Sequence, residues 1–160
     1  MKGVAIFLIV LVLAAVGAVG YLYLKADLTV SFESCIATAA VTQADYFQQM
    51  KKDLASGAFV GTKFSGDEPG SAEEYQFLTY TVRLSNHAFL NADVIELSVM
   101  PMQGDVLQIG DTERHALAAG KETTISATIL TTREMHSVRE GTVTCYFWGI
   151  PFTSKLTLGK

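Results

Sequence analysis

LTYTVRLSN, residues 78–86, alternates Leu78, Tyr80, Val82 and Leu84 with Thr79, Thr81, Arg83 and Ser85. Successive side chains of an extended chain point to opposite faces, so a period of two gives one apolar and one polar face, the mark of a half-buried antiparallel strand. Asn86-His87 ends the run with a turn signal. Downstream, Ile95, Leu97 and Val99 alternate with Val94, Glu96 and Ser98 and stop near Pro101. A short apolar piece at 106–109 comes after the Gly104-Asp105 turn, and Ala119-Gly120-Lys121 leads into Thr123, Ile125, Ala127 and Ile129. Residues 132–140 read as a helical turn or a loop. Residues 142–148, a turn at Gly149-Ile150-Pro151 and residues 152–158 form a terminal hairpin.

Upstream, residues 27–34 alternate as a first strand, and 58–64 read as a short edge strand. Between them the period changes. Over 42–56, Tyr46, Phe47, Met50 and Leu54 share one helical face, with Thr42 as cap, Asp45 in capping-box position and Gly57 as stop. This short amphipathic helix is expected to pack on the domain, because only Lys51 and Lys52 flank its apolar face. Seven or eight strands in runs, not alternating with helices, predict an antiparallel two-sheet sandwich with one inserted helix.

A different segment precedes all of this. After Lys2, the 22 residues from Gly3 to Leu24 carry no charge, long enough as a helix to cross a hydrocarbon core of roughly 30 Å. As a signal peptide the segment would be cleaved near the small residues Gly17, Ala18 or Gly20. As an anchor it stays attached, and apolarity continuing through Tyr21, Leu22, Tyr23 and Leu24, with two tyrosines at the far interface, supports that reading. Lys2 and Lys25 oppose each other, so orientation rests on the acidic character of the C-terminal domain: N-terminus cytoplasmic, C-terminal domain extracytoplasmic. Ala14, Gly17, Ala18 and Tyr21 share one face and form a candidate helix-association surface; the alternative is the ordinary abundance of Ala and Gly in membrane spans. The chain thus divides into a membrane anchor, 1–26, meeting the bilayer through residues 3–24, and an extracytoplasmic domain, 27–160.

The 134 residues from position 27 hold all 16 acidic side chains against 10 basic ones, a net charge of −6. That balance argues against nucleic acid, whose phosphates require a basic footprint, and against flat docking on anionic lipid. Cys35 and Cys145 stand near opposite ends of the domain. Bridged, they would close a loop of about 110 residues, worth about 4.7 kcal/mol in the chain-entropy model. Cys145 shares a strand face with Val143 and Phe147, whereas Cys35 is out of phase with Leu28, Val30 and Phe32 unless a bulge intervenes. A disulfide and two buried thiols are both open readings.

No spacing identifies chemistry. His87, His115 and His136 lie 28 and 21 residues apart, without Cys, Asp or Glu at ligand spacing. The acidic loop at 65–74, with Asp67, Glu68, Glu73 and Glu74, matches no calcium loop. Gly57 to Lys63 fails as a phosphate loop, since its glycines are four apart and Phe64 stands after the lysine. No nucleophile elbow occurs. Met100-Pro101-Met102 reads as packing or as an adaptable contact. Neither enzyme activity, nor a metal, nor a cofactor is expected. Tyr146 and Trp148 fall opposite Cys145 and Phe147, so this strand reads as apolar on both faces: covered by the helix, or open as a partner interface.

YTVRLSNHAFLNADVIELSV (80–99), ALAAGKETTISATI (116–129) and EGTVTCYFWGIPFTSKLTL (140–158) together resemble bacterial immunoglobulin-like and fibronectin-like sandwich modules. More narrowly, they resemble the late-embryogenesis-abundant water-stress domain, with its strand ending in Asn, its small-residue-plus-Gly turn and its Gly-started final hairpin. Asn86-His87 stands where that family has Asn-Pro. The resemblance covers about 80 residues and implies one helix, about seven strands and a non-enzymatic binding or structural module.

The expectation is therefore an anchored immunoglobulin-like sandwich that binds another cell-envelope component or serves as an assembly subunit. A secreted sandwich after signal cleavage and a pilin-like filament subunit are the alternatives. Pilins place a Glu early in the apolar helix, and here the first Glu is Glu33.

Overall fold

The structure, a computed structural model, describes residues 2–24, 27–66, 68–110 and 115–159. Lys25, Asp67 and the side chains of Lys2, Leu22, Tyr23 and Leu24 lie outside the described residues. The apolar segment is one helix, α1 (Lys2–Leu24), whose side chains from Gly3 to Tyr21 are all exposed. Ala14, Gly17, Ala18 and Tyr21 are bare like the rest.

Nine strands come after it among the described residues: β1 (Leu28–Ala39), β2 (Gly61–Lys63), β3 (Tyr75–Asn86), β4 (Ala92–Val99), β5 (Asp105–Ile109), β6 (His115–Leu117), β7 (Glu122–Thr132), β8 (Arg139–Phe147) and β9 (Ile150–Leu158). They build two antiparallel sheets, β1-β3-β7-β5-β2 and β6-β4-β8-β9. The sandwich expected from the alternation is what forms. Its extra strand is β6, at three residues too short to display a period.

The core between the sheets is built mainly from the inward positions read from the alternation, joined by Ala88, Ala92, Leu117 and Leu158. Leu78, Tyr80, Val82 and Leu84 of β3 and Ile125, Ala127 and Ile129 of β7 face Ile95, Leu97 and Val99 of β4 and Val143, Cys145 and Phe147 of β8. At about 1.5–3 kcal/mol per fully buried large apolar side chain, this layer is the dominant favourable term. Gly141 belongs to it because a Cβ there would stand 2.6 Å from Cδ1 of the buried Leu158.

The inserted helix, α2 (Ala44–Ser56), lies against the outer face of the first sheet, where Phe47 and Met50 are buried with Phe77, Leu107 and Leu130. Gly57 ends it in the left-handed conformation, φ 76°, with the Ala58 amide donating to Asp53 O at 2.9 Å. The start differs from the expected cap. Thr42 lies in a 3-10 turn, Ala40–Gln43, and no side chain caps α2. Because α2 covers β3, β5 and β7, it does not cover β8, and the idea that it shields Tyr146 and Trp148 is corrected.

The first strand slips register between Phe32 and Ser34, the bulge on which an inward-facing Cys35 depended. Cys35 thereby turns toward the core, yet both cysteines are free. Their levels explain it. Cys35 pairs with Tyr80, whose hydroxyl donates to Ser137 O at 2.8 Å, next to the start of β8. Cys145 lies six residues beyond Arg139 along β8, about 20 Å at ~3.3 Å per residue. A bridge needs Cα atoms within about 7 Å.

Candidate functional site

The sandwich has two ends of different character. One is the end at which β1 begins, three residues after α1. The pairings Leu28↔Asn86, Ser85↔Glu122, Asp93↔Tyr146 and Phe147↔Ile150 bring the β3–β4 loop, the β6–β7 turn and the β8–β9 turn to this same end. Asn86 organises it. Fully buried, it donates from Nδ2 to Leu90 O (2.8 Å) and Leu117 O (3.0 Å) and accepts from the Ala88 amide at 3.0 Å. Its backbone also bonds Lys121 O and the Gly120 amide. The turn asparagine read from the sequence is therefore a buried junction of three segments. The next residue, His87, donates its amide to Asp27 O at 2.8 Å, so this loop is stitched to the entry of β1.

The β8–β9 connection is a two-residue turn at Trp148-Gly149, one step earlier than the expected Gly149-Ile150-Pro151. Both turn residues have positive φ, 53° and 77°, the geometry that joins twisted antiparallel strands. Trp148 consequently does not share a strand face with Tyr146: it projects from the tip, 69% exposed, while Tyr146 is half-buried opposite Pro151 and Asp93. Phe89, in the β3–β4 loop, is 57% exposed.

The opposite end is closed by a buried ion pair that no sequence signal marked. Arg139 of β8 donates from Nε and Nη2 to the two carboxylate oxygens of Asp105 of β5, at 2.8 and 2.7 Å, with both side chains fully buried. Nη1 donates to His136 O and Val138 O, and Asp105 also accepts the Met102 amide. The pair links the two sheets with its polar atoms satisfied, the condition under which a buried pair is tolerable. The hydrogen bonds to Asp105 hold the guanidinium above its ordinary pKa, against its own burial. Burial raises the Tyr80 phenol and the Cys35 thiol, each partly offset by the Arg139 charge. Cys145, with burial alone, is pushed up to about 11. Around this end Met100, Met102 and Val138 are exposed, so the first two do not serve as core packing.

Between the ends, β4, β5 and β7 flank a cleft of about 590 Å³ lined by Val94, Glu96, Gln108, His115 and Ser126, among others. The amide of Gln108 closes one side: Oε1 accepts from the Val99 amide at 2.9 Å and Nε2 donates to Leu97 O at 2.8 Å. It substitutes for a neighbouring strand along the stretch of β4 beyond β6 and so covers an otherwise open edge. Val94, at φ 50°, marks the bulge where β4 leaves register with both neighbours. The three histidines do not converge: His87 is at the α1 end, His115 on β6 and His136 beside Arg139. Among the described residues no group of three or more His, Cys, Asp or Glu side chains is placed to hold a metal.

No protein-family model matches the chain, so the narrower resemblance to the water-stress domain gains no support from that comparison. No curated protein matches it either. Similar solved structures include a protein assigned to ApaA from Bordetella pertussis, with 16% identity over 84% of this chain and 94% of that one and a TM-score of 0.40. A FixG-related protein from Vibrio parahaemolyticus has 12% identity over 83% and 92%, with a TM-score of 0.40. An uncharacterised β-sandwich protein from Clostridium difficile 630 has 9% identity over 81% and 85%, with a TM-score of 0.32.

Proposed function

We propose that this chain is a non-catalytic, single-pass membrane module that displays an extracytoplasmic β-sandwich and uses it to contact another component of the cell envelope. One observation supports this most: a 23-residue apolar helix, bare along its described side chains, leads within three residues into the first strand. Such a helix needs an apolar surround, and in water its exposed surface would drive aggregation. The short connection keeps the domain at the bilayer. Contact is made through exposed apolar side chains at the ends of the sandwich: Trp148, with the half-buried Tyr146 two residues before it on β8, at the α1 end, and Met100, Met102 and Val138 at the other. Adaptable methionines suit a protein partner at the outer end.

Fractionation of cells expressing the full chain tests the reading. Resistance of the protein to alkaline extraction, an intact mass that includes the N-terminal segment, and a domain open to externally added protease are expected. A soluble product cleaved near Gly17 to Gly20 would replace the anchored module with a secreted one. A photo-crosslinking residue at position 102 then tests for a partner, and the same adduct pattern from a probe at exposed Thr153 would refute a specific outer-end contact.

A further inference from the structure

We propose that the α1 end of the sandwich is itself a membrane-docking surface, with Trp148 and Phe89 seated in the headgroup region of the bilayer that α1 crosses. This rests on the anchored reading of α1 and names the bilayer as what Trp148 contacts.

The geometry is restrictive. From Leu24 to Leu28 the chain makes four residue steps, a reach of at most about 14 Å. The β3–β4 loop is bonded to that connection through His87 N–H and Asp27 O. Phe89 stands two residues further on, and strand register brings the β8–β9 turn to the same end. Where α1 leaves the hydrocarbon, these loops are the first part of the domain at the surface.

The residue at the tip of the turn is also telling. A left-handed conformation costs a residue with a Cβ roughly 1–2 kcal/mol, and Asn or Gly is the usual occupant of such a turn. Trp148 accepts that cost at φ 53° and leaves most of its surface in water. A strained, exposed aromatic points to a contact outside the domain. Trp belongs at the membrane interface, where the ring meets lipid and the N–H meets water.

Charge limits which lipid chemistry is involved. Asp27, Asp93 and Glu122 are exposed at this end along with Lys121 and His87, within a domain of net −6. Attraction to anionic headgroups is therefore not the source of binding. Insertion of aromatic rings into a zwitterionic interface is. Docked in this way, the sandwich stands upright and turns Met100, Met102 and Val138 away from the membrane.

Trp148 is the sole tryptophan of the chain, so its fluorescence reports this contact without labelling. The full chain is reconstituted into phosphatidylcholine vesicles, and flotation of the vesicles is read on the same sample. With Trp148 at the headgroup level, lipid brominated on the acyl chain near the headgroup should quench emission roughly twofold or more, while aqueous iodide quenches weakly. Moving the probe, as Phe89→Trp in a Trp148→Asn background, should give the same pattern. Asn suits the turn, so that variant keeps the hairpin.

Protein that floats but shows strong iodide quenching and no bromolipid quenching overturns the docking and leaves the anchor intact. Shielding from both quenchers, with iodide present on both sides of the vesicle membrane, would mean that a protein surface covers Trp148, which also overturns it. Failure to float refutes the anchored reading and the docking together.

Discussion

Replacing Asp105 by Ala removes three hydrogen bonds, two of them from a guanidinium, and leaves Arg139 charged with no exposed surface. Hydrogen bonds to charged groups contribute about 1.5–3 kcal/mol each, and the two backbone carbonyls still held by Nη1 carry no compensating charge. Breaking one side of a buried pair costs about 3–5 kcal/mol. For a domain of 134 residues each kcal/mol moves Tm by about 3–4 °C, so a fall of about 10–20 °C is expected. Asp105→Asn, which keeps the shape and loses the charge, should fall between wild type and Asp105→Ala. Arg139→Met should match Asp105→Ala, because it strands the carboxylate and frees two carbonyls. Urea unfolding of the full chain in detergent, monitored by circular dichroism, gives the energies, and the double variant completes a cycle that isolates the coupling. If Asp105→Ala lost less than about 1 kcal/mol, water or rearrangement would be satisfying Arg139, and the pair would not be what aligns the sheets.

Gly141→Ala should cost about 1–3 kcal/mol, because the added methyl would stand 2.6 Å from Cδ1 and 2.8 Å from Cγ of the fully buried Leu158, which must shift to admit it; a neutral result in the same unfolding assay would show slack in the core. Asn86→Ala removes the partners of Ala88 N, Leu90 O and Leu117 O and should cost about 2–4 kcal/mol; hydrogen exchange should rise first in the β3–β4 loop. Burial raises the Cys145 thiol from 9.0 to about 11, so between these values the unfolded chain releases a proton that the folded chain keeps. Stability should thus fall with rising pH, by about 2–3 kcal/mol over that window. The comparison is with Cys145→Ala, which should lack this part of the slope; parallel profiles for the two proteins would refute it. Below pH about 8 neither state ionises and the two slopes should coincide.

The class of fold and the identity of most core positions were legible in the residues alone. Alternation at Leu78 to Ser85, Val94 to Val99 and Thr123 to Ile129 assigns each side chain to a face, because strand geometry has a period of two whatever the strand pairs with. The α1 segment was legible for the same kind of reason: length and lack of charge are properties of the residues themselves. The break in phase at Cys35 was visible too, but whether a bulge turned that side chain inward was left open until the pairing of β1 with β3 was known.

Which strand lies beside which was not written locally, and the candidate sites depend on it. Trp148 looked like a strand residue until the pairing Phe147↔Ile150 made it the tip of the turn. The helix was legible as amphipathic, but it took tertiary packing to place it on β3, β5 and β7 instead of over Tyr146. Asp105 and Arg139, 34 residues apart, carry no motif, since an ion pair becomes visible only when two sheets close over it. Cys35 and Cys145 could be judged as partners only once register set their levels. Periodicity is a one-dimensional consequence of backbone geometry, whereas these contacts are set by long-range pairing, which the burial of both sheet faces selects and no short stretch encodes.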